Sequence, residues 1–396
     1  MKKSGMNRKS VCVVLLLIAC APPVAAASII QLTNDSALDS YPFWSPDGKE
    51  IAFTSFDGSH AGIRVMEHDG QNLRQVTDNR SWEFAPFDPW SPDGKTLLFL
   101  SVSAGEFDLW TMSPDGTGRV RLTEGGRIIP GLTLSGYGAD WSADGKQIVY
   151  TSCLFDNAAI WKSFVDTVAK GSPAVNYSAI RKEADLWAMD TDGSNKRQLT
   201  TGGDARFSQW QPHGNNIAYL SDTSGNREIW IMSDDGTGKM QVTCSEGNVS
   251  EYMWSPDGGA FAYVVAAPPD KFPEFSIWVT TVDGSGSKQL TSGNWDQSPV
   301  WSPDGSRLAF RSESGNQTGL WVMKSDGSDL TALTPGNMRY FMQQWSPDGK
   351  TIVMSDGDDL YLIPLEDQTA SASPGFEVGI AAVALFFAGY LIKRRF

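Results

Sequence analysis

Seven near-copies of one short turn punctuate this chain, and they constrain its fold more than any other feature. Intact "WSPDG" begins at Trp44, Trp90, Trp254, Trp301 and Trp345. Degenerate copies, "WSADG" and "WQPHG", begin at Trp141 and Trp210. Successive copies lie 44 to 51 residues apart, except for 69 between Trp141 and Trp210. Each turn is followed by an alternating apolar strand, such as "EIAFTS" or "TLLFLS". Next comes a second strand ending in a "DG" hairpin signal, such as "LWTMSPDG", and then a short third strand, "RQVT" or "KQLT". The residues before each Trp supply a fourth. Four antiparallel strands recurring at this period describe a propeller blade. In the turn itself, Pro presets φ, Asp caps locally and Gly accepts positive φ. The Trp is large enough, burying about 150–250 Å², to fill the gap between neighbouring blades. The pattern predicts an all-β, seven-bladed β-propeller of four-stranded antiparallel blades over residues 28–367.

The last unit has its Trp345 turn, "TIVMS" and "DLYLIPL", but lacks a closing "QLT". The spare copy, "IIQLT", stands at Ile29 to Thr33, ahead of the first unit. The N-terminal strand is therefore expected to join the last blade and close the ring, hiding the edges of an open sheet. The long interval holds an insertion of about 154–184 in the third blade. There Ile160, Phe164 and Val168 recur at helical spacing, which suits an amphipathic helix lying over a face or packing on the blade below.

The two ends read as targeting segments. Residues 1–27 combine a basic start, the apolar run "VCVVLLLIA" and small residues near Ala27, the pattern of a signal peptide. "LIAC" also offers Cys20 as a lipidation site. After a linker at 368–373, residues 374–396 form an apolar tail closed by Lys393, Arg394 and Arg395, whose charge belongs on the cytoplasmic side. Its uninterrupted apolar run is shorter than the roughly 20 residues of a comfortable membrane helix. The tail is thus either a short anchor or a processed signal, and in both cases the body lies outside. A net charge of −14 argues against nucleic acid as a partner. Sequons at Asn34, Asn79, Asn176, Asn248 and Asn316 suit a glycosylated exported surface. Cys153 and Cys244, the cysteines outside the leader, leave one disulfide open as an option.

The unit "LT…WSPDGK.IAF.S…LWVM..DG" resembles the β-propeller repeat of the TolB family, over residues 29 to 365. Pro374, Gly375 and Phe376, followed by the short apolar stretch and basic end, resemble the archaeal PGF-type C-terminal sorting signal. That resemblance implies cutting by a sortase-like membrane enzyme and replacement of the tail by a lipid. The protein would then sit on the outer face of the cytoplasmic membrane, at the cell surface. The TolB resemblance implies protein partners in the envelope.

Function is expected in the loops. The Trp turns and "DG" turns share one monotonous face, and the remaining loops share a variable one. On the variable face stand Trp82 and Phe84, Arg206 and Phe207, Trp295 and Asp296, and Arg339 and Tyr340. Aromatics beside arginine are common interface anchors, and packing at the channel mouth is the alternative use of the same residues. The sequence has no Gly-x-Ser-x-Gly elbow and only three histidines, His60, His68 and His213. "MDTDGSN" lacks the glycine and distal glutamate at the places that a calcium loop requires. These absences suggest no metal, no cofactor and no catalysis. The expectation is a non-catalytic module binding an envelope protein, a peptide or a surface glycan. A carbohydrate-active enzyme using the channel mouth and a purely structural surface coat are the alternatives.

Overall fold

The computed structural model describes residues 29–78, 81–85, 88–103, 106–125, 138–153, 184–267, 274–314, 317–334 and 342–365. The leader, the sorting tail and nearly all of the expected insertion lie outside these residues. Every regular element among the described residues is a β-strand, and no helix among them is long and apolar enough to cross a membrane.

A short strand, β1 (Ile30–Gln31), opens the body. Six quartets follow in chain order. The first comprises β2 (Leu38–Trp44), β3 (Glu50–Phe56), β4 (Ala61–Glu67) and β5 (Arg74–Gln75). The second comprises β6 (Trp82–Phe84), β7 (Leu97–Ser103), β8 (Glu106–Met112) and β9 (Val120–Arg121). The third comprises β10 (Ala139–Trp141), β11 (Gln147–Cys153), β12 (Ala184–Asp190) and β13 (Arg197–Gln198). The fourth comprises β14 (Ala205–Trp210), β15 (Asn216–Ser221), β16 (Glu228–Ser233) and β17 (Met240–Gln241). The fifth comprises β18 (Asn248–Trp254), β19 (Ala260–Ala266), β20 (Phe275–Thr281) and β21 (Lys288–Gln289). The sixth comprises β22 (Trp295–Trp301), β23 (Arg307–Ser314), β24 (Gln317–Lys324) and β25 (Thr331–Ala332). A trio ends the body: β26 (Met342–Trp345), β27 (Thr351–Ser355) and β28 (Leu360–Pro364).

Within each group the strands pair antiparallel in chain order. β1 completes the trio from outside, with Ile30 opposite Leu362 and Gln31 opposite Tyr361. The expected seven separate sheets are not reproduced. The fifth and sixth quartets share one eight-stranded sheet, because Phe275 of β20 pairs in parallel with Trp295 of β22. The other five sheets have four strands each, and no sheet closes on itself.

The repeated tryptophans pack backwards, each onto the preceding group. Trp90 is buried with Phe43, Ala52 and Val65, and Trp141 with Leu98 and Leu109. Trp345 is buried with Val300 and Leu320. Trp44, in the first quartet, is buried with Val353, Leu360 and Leu362 of the trio. Three indoles also donate to the carbonyl just before the neighbouring Trp: Trp90 to Phe43 (3.2 Å), Trp141 to Pro89 (3.3 Å) and Trp345 to Val300 (3.2 Å). The "DG" turns are equally close-fitting. Gly116 has φ +85°, and a Cβ there would lie 2.6 Å from the Val76 carbonyl oxygen of the preceding quartet, so only glycine fits.

The first strand of a group ends at its Trp, so the Trp turns gather at one end of the body. The strand starts and the loops joining second to third strands gather at the other, the loop face. Several first strands carry a bulge on the way. The register slips between Ser40 and Phe43, Arg206 and Gln209, and Gln297 and Val300, where Tyr41, Phe207 and Ser298 adopt positive φ. Neighbouring groups take up backbone atoms at the Phe207 and Ser298 bulges. Tyr252 donates its hydroxyl to the Phe207 carbonyl. Glu251 accepts from Ser298 N–H at 2.6 Å, and Gln343 donates to the Ser298 carbonyl at 2.5 Å.

Candidate functional site

The loop face is built where first strands begin, and six of the eight expected binding residues lie there among the described residues. Trp82 is half-buried, its ring 5.4 Å from Phe56 and 6.2 Å from Phe84. Phe84 is buried, and both residues pack in the cluster that joins the first three quartets. Arg206 is buried and ion-paired with Asp222, which also accepts from Arg227 Nε at 3.2 Å. Phe207 packs against the apolar cluster between the fourth and fifth quartets. Trp295 is 42% exposed and rests edge-on against Phe275 with ring centroids 5.2 Å apart, while its neighbour Asp296 is buried. Arg339 and Tyr340 lie outside the described residues, as do Asn79, Asn176, Asn316, Pro374, Gly375 and Phe376. Asn34 and Asn248 are exposed, and Cys244 is free and exposed.

The structure groups Asp296, expected on the variable face, with two carboxylates that sequence reasoning passed over. Asp39, Glu83 and Asp296 occupy one equivalent place on three first strands, opposite Ser55, Ser101 and Ser312. All three are buried. Burial pushes Asp39 up to about 6. Burial also raises Asp296, against Ser312 and Thr291. Glu83 is raised by burial too, even though Arg119 is ion-paired with it. One oxygen each of Glu83 and Asp296, and both of Asp39, lack a hydrogen-bond partner.

Arg119 lies over the rings of Phe99 (5.1 Å) and Trp110 (5.6 Å) and reaches Asp78 at 3.7 Å. It borders a 460 Å³ cleft with Ser101, Glu106, Asp108, Trp110 and Arg121. Nearer the Trp turns, Asp140 accepts from Trp210 N–H at 2.6 Å. Loss of water, reinforced by the neighbouring Asp88 charge, raises Asp140 to about 8. Burial raises Glu251 to about 7. No group of three or more His, Cys, Asp or Glu that could hold a metal occurs among the described residues. Chemically, the described residues of the face offer one exposed aromatic platform, a buried arginine held by an acid, and carboxylates that keep a proton unusually well.

Comparison with known proteins places this geometry. The TolB beta propeller domain model matches residues 24–172 and 174–372, and the PGF-CTERM motif matches residues 373–395. Dipeptidyl-peptidase 5 of Porphyromonas endodontalis is 27% identical over 267 residues, covering 54% of this chain and 36% of that protein. The Tol-Pal system protein TolB of Anaeromyxobacter dehalogenans is 31% identical over 135 residues, covering 32% of this chain and 30% of that one. The chain thus spans about a third of the length of these curated relatives. Among solved structures, an oligogalacturonate lyase in complex with manganese superposes with a TM-score of 0.67. The two share 17% identity over 86% of this chain and 94% of the other. At that identity the likeness shows the fold alone.

These findings overturn the expectation of a non-enzyme. A peptidase is among the sequence relatives, and a lyase shares the fold. The expectation rested on missing linear motifs. A propeller can instead assemble a site from single side chains on several sheets, and no local motif announces such a site. The sorting motif implies a processing and membrane-anchoring route. The chain belongs to the TolB beta propeller domain family, and its PGF-CTERM motif marks it as an exported protein anchored at the cell surface.

Proposed function

We propose that the chain is a closed, seven-bladed propeller over residues 28–367 whose loop face captures an envelope protein, a peptide or a surface glycan. Six quartets plus the trio completed by β1 supply seven blades, and the packing of Trp44 on Val353 and Leu362 supports closure between last and first. The observation that carries the binding reading is Trp295. It is the one aromatic among the exposed large hydrophobic residues described, and Phe275 holds it in place on the loop face. Rigid exposed aromatics are favoured anchors for peptides and sugars. With a net charge of −14, a neutral or cationic ligand is favoured over a polyanion. Trp82, Phe84, Arg206, Phe207 and Asp296 form the supporting set, and Arg339 and Tyr340 complete it. A second reading, turnover of the captured polymer, is favoured by the buried carboxylates on three different first strands.

The test is binding of the full-length protein to panels of neutral and basic glycans and peptides, with product analysis of every bound ligand. Trp295→Ala is expected to weaken binding at least about tenfold, roughly 1.4 kcal/mol. Unchanged affinity in a folded Trp295→Ala protein would sink the site. Product release that is lost in Asp296→Asn would establish the second reading.

A further inference from the structure

We propose that the Trp-turn face is the membrane-facing surface of the anchored protein, and that the loop face points away from the lipid. The argument begins with where the chain leaves the folded body. Thr351 follows the last Trp turn directly, its N–H bonded to Ser346 Oγ at 3.0 Å, and Thr351 pairs with Pro364. Leu365 N–H then bonds to the Lys350 carbonyl at 2.7 Å. The last described strand therefore delivers the chain beside the Trp turns.

The other end agrees. β1 runs from Ile30, opposite Leu362, towards Thr33, whose hydroxyl accepts from Leu360 N–H at 3.0 Å. Leu362 is nearer the Trp turns than Leu360, so the chain also enters the body from the turn side. An anchor at either end gives the same orientation.

Length makes the geometry restrictive. The sorting motif begins at residue 373, so residues 366–372 bridge it to the body. Seven residues span at most about 25 Å. A seven-residue strand such as β2 is itself about 24 Å tall. A tail that doubled back to put the loop face against the membrane would be used up climbing the body. Attraction is not needed to hold this arrangement. The turn aspartates, Asp47, Asp93 and Asp348 among them, are exposed, and like-charged lipid headgroups would repel them. The tether sets the orientation, and the loop face is left open to macromolecules outside the cell.

The test uses the full chain anchored in membrane vesicles that contain a lipid-borne quencher. One protein carries a thiol-reactive fluorophore on the native Cys244, which is exposed in the connection from β17 to β18 on the loop side. The second is Lys350→Cys with Cys244→Ser, labelled at the exposed last Trp turn. Cys153 is common to both, and the Cys244→Ser protein alone gives its contribution. Quenching at position 350 is expected to exceed that at Cys244 by roughly twofold or more, given one body height of separation. Equal quenching, or stronger quenching at Cys244, overturns the proposal. A long Gly/Ser insertion after Leu365 should abolish the difference. A difference that persisted would assign orientation to the face itself and overturn the tether account. The outcome does not depend on which ligand the loop face takes.

Discussion

Trp44 and Trp345 stand at equivalent turns and are similarly buried, yet their indole nitrogens differ. Trp345 donates to the Val300 carbonyl, whereas the Trp44 nitrogen has no hydrogen-bond partner. Replacing either by Phe removes similar apolar area. Only Trp345→Phe also breaks a buried hydrogen bond. It is expected to cost about 1–2 kcal/mol more than Trp44→Phe, measurable by urea denaturation, and equal costs would refute the assignment. The tryptophans were legible from the repeat alone, because their place in every unit is fixed by the turn. Asp296 was legible too, but its kinship with Asp39 and Glu83 was not. Asp39 and Asp296 stand five residues before their Trp, but Glu83 stands seven before Trp90, so an alignment on the turns separates residues that the sheets bring into register. Arg119 was hidden for a related reason, since its partners Glu83 and Asp78 belong to other strands and loops of the sequence.

The strands were legible because period-two alternation and turn chemistry agree in nearly every unit. Their bulges were not, because the residues with positive φ are Tyr41, Phe207 and Ser298 rather than glycine or asparagine. At Phe207 and Ser298 what holds the bulge is tertiary: side chains of adjacent first strands satisfy the bulged backbone. The Ser298 bulge depends on Glu251 in this way. Glu251→Leu removes the acceptor of the Ser298 N–H and is expected to cost about 1–3 kcal/mol. Glu251→Gln keeps an acceptor without a charge. Because burial raises Glu251 to about 7, the glutamine variant should match the native protein near pH 5 and exceed its stability at pH 9. A glutamine variant that is equally destabilised at both pH values would show that shape, not charge and hydrogen bonding, governs the bulge.

Across the whole molecule, two families of acids oppose each other. Asp140, Glu251 and Asp39, raised to about 8, 7 and 6 mainly by burial, bind protons more tightly folded than unfolded. Their contribution to stability is complete below their unfolded values near 4 and is lost as pH rises through 6 to 8. The turn acids Asp47 and Asp304 are lowered to about 2, first by hydrogen bonds from side chains of their own turns. They contribute above about 4, and that contribution is lost as pH falls towards 2. Thermal stability should therefore peak near pH 4–5 and decline towards pH 8, and Asp140→Asn should flatten that decline. A melting temperature that rises from pH 5 to pH 8 would contradict this balance. One further property follows from the placement of β1. The strand that continues into the anchor, β28, lies between β27 and β1 rather than at a sheet edge. A pull along the tail runs parallel to β28 and loads both of its ladders in shear, so their hydrogen bonds must fail together rather than peel one by one. By capping β28, the short N-terminal strand makes the tethered end of the protein a mechanical joint suited to drag at a cell surface.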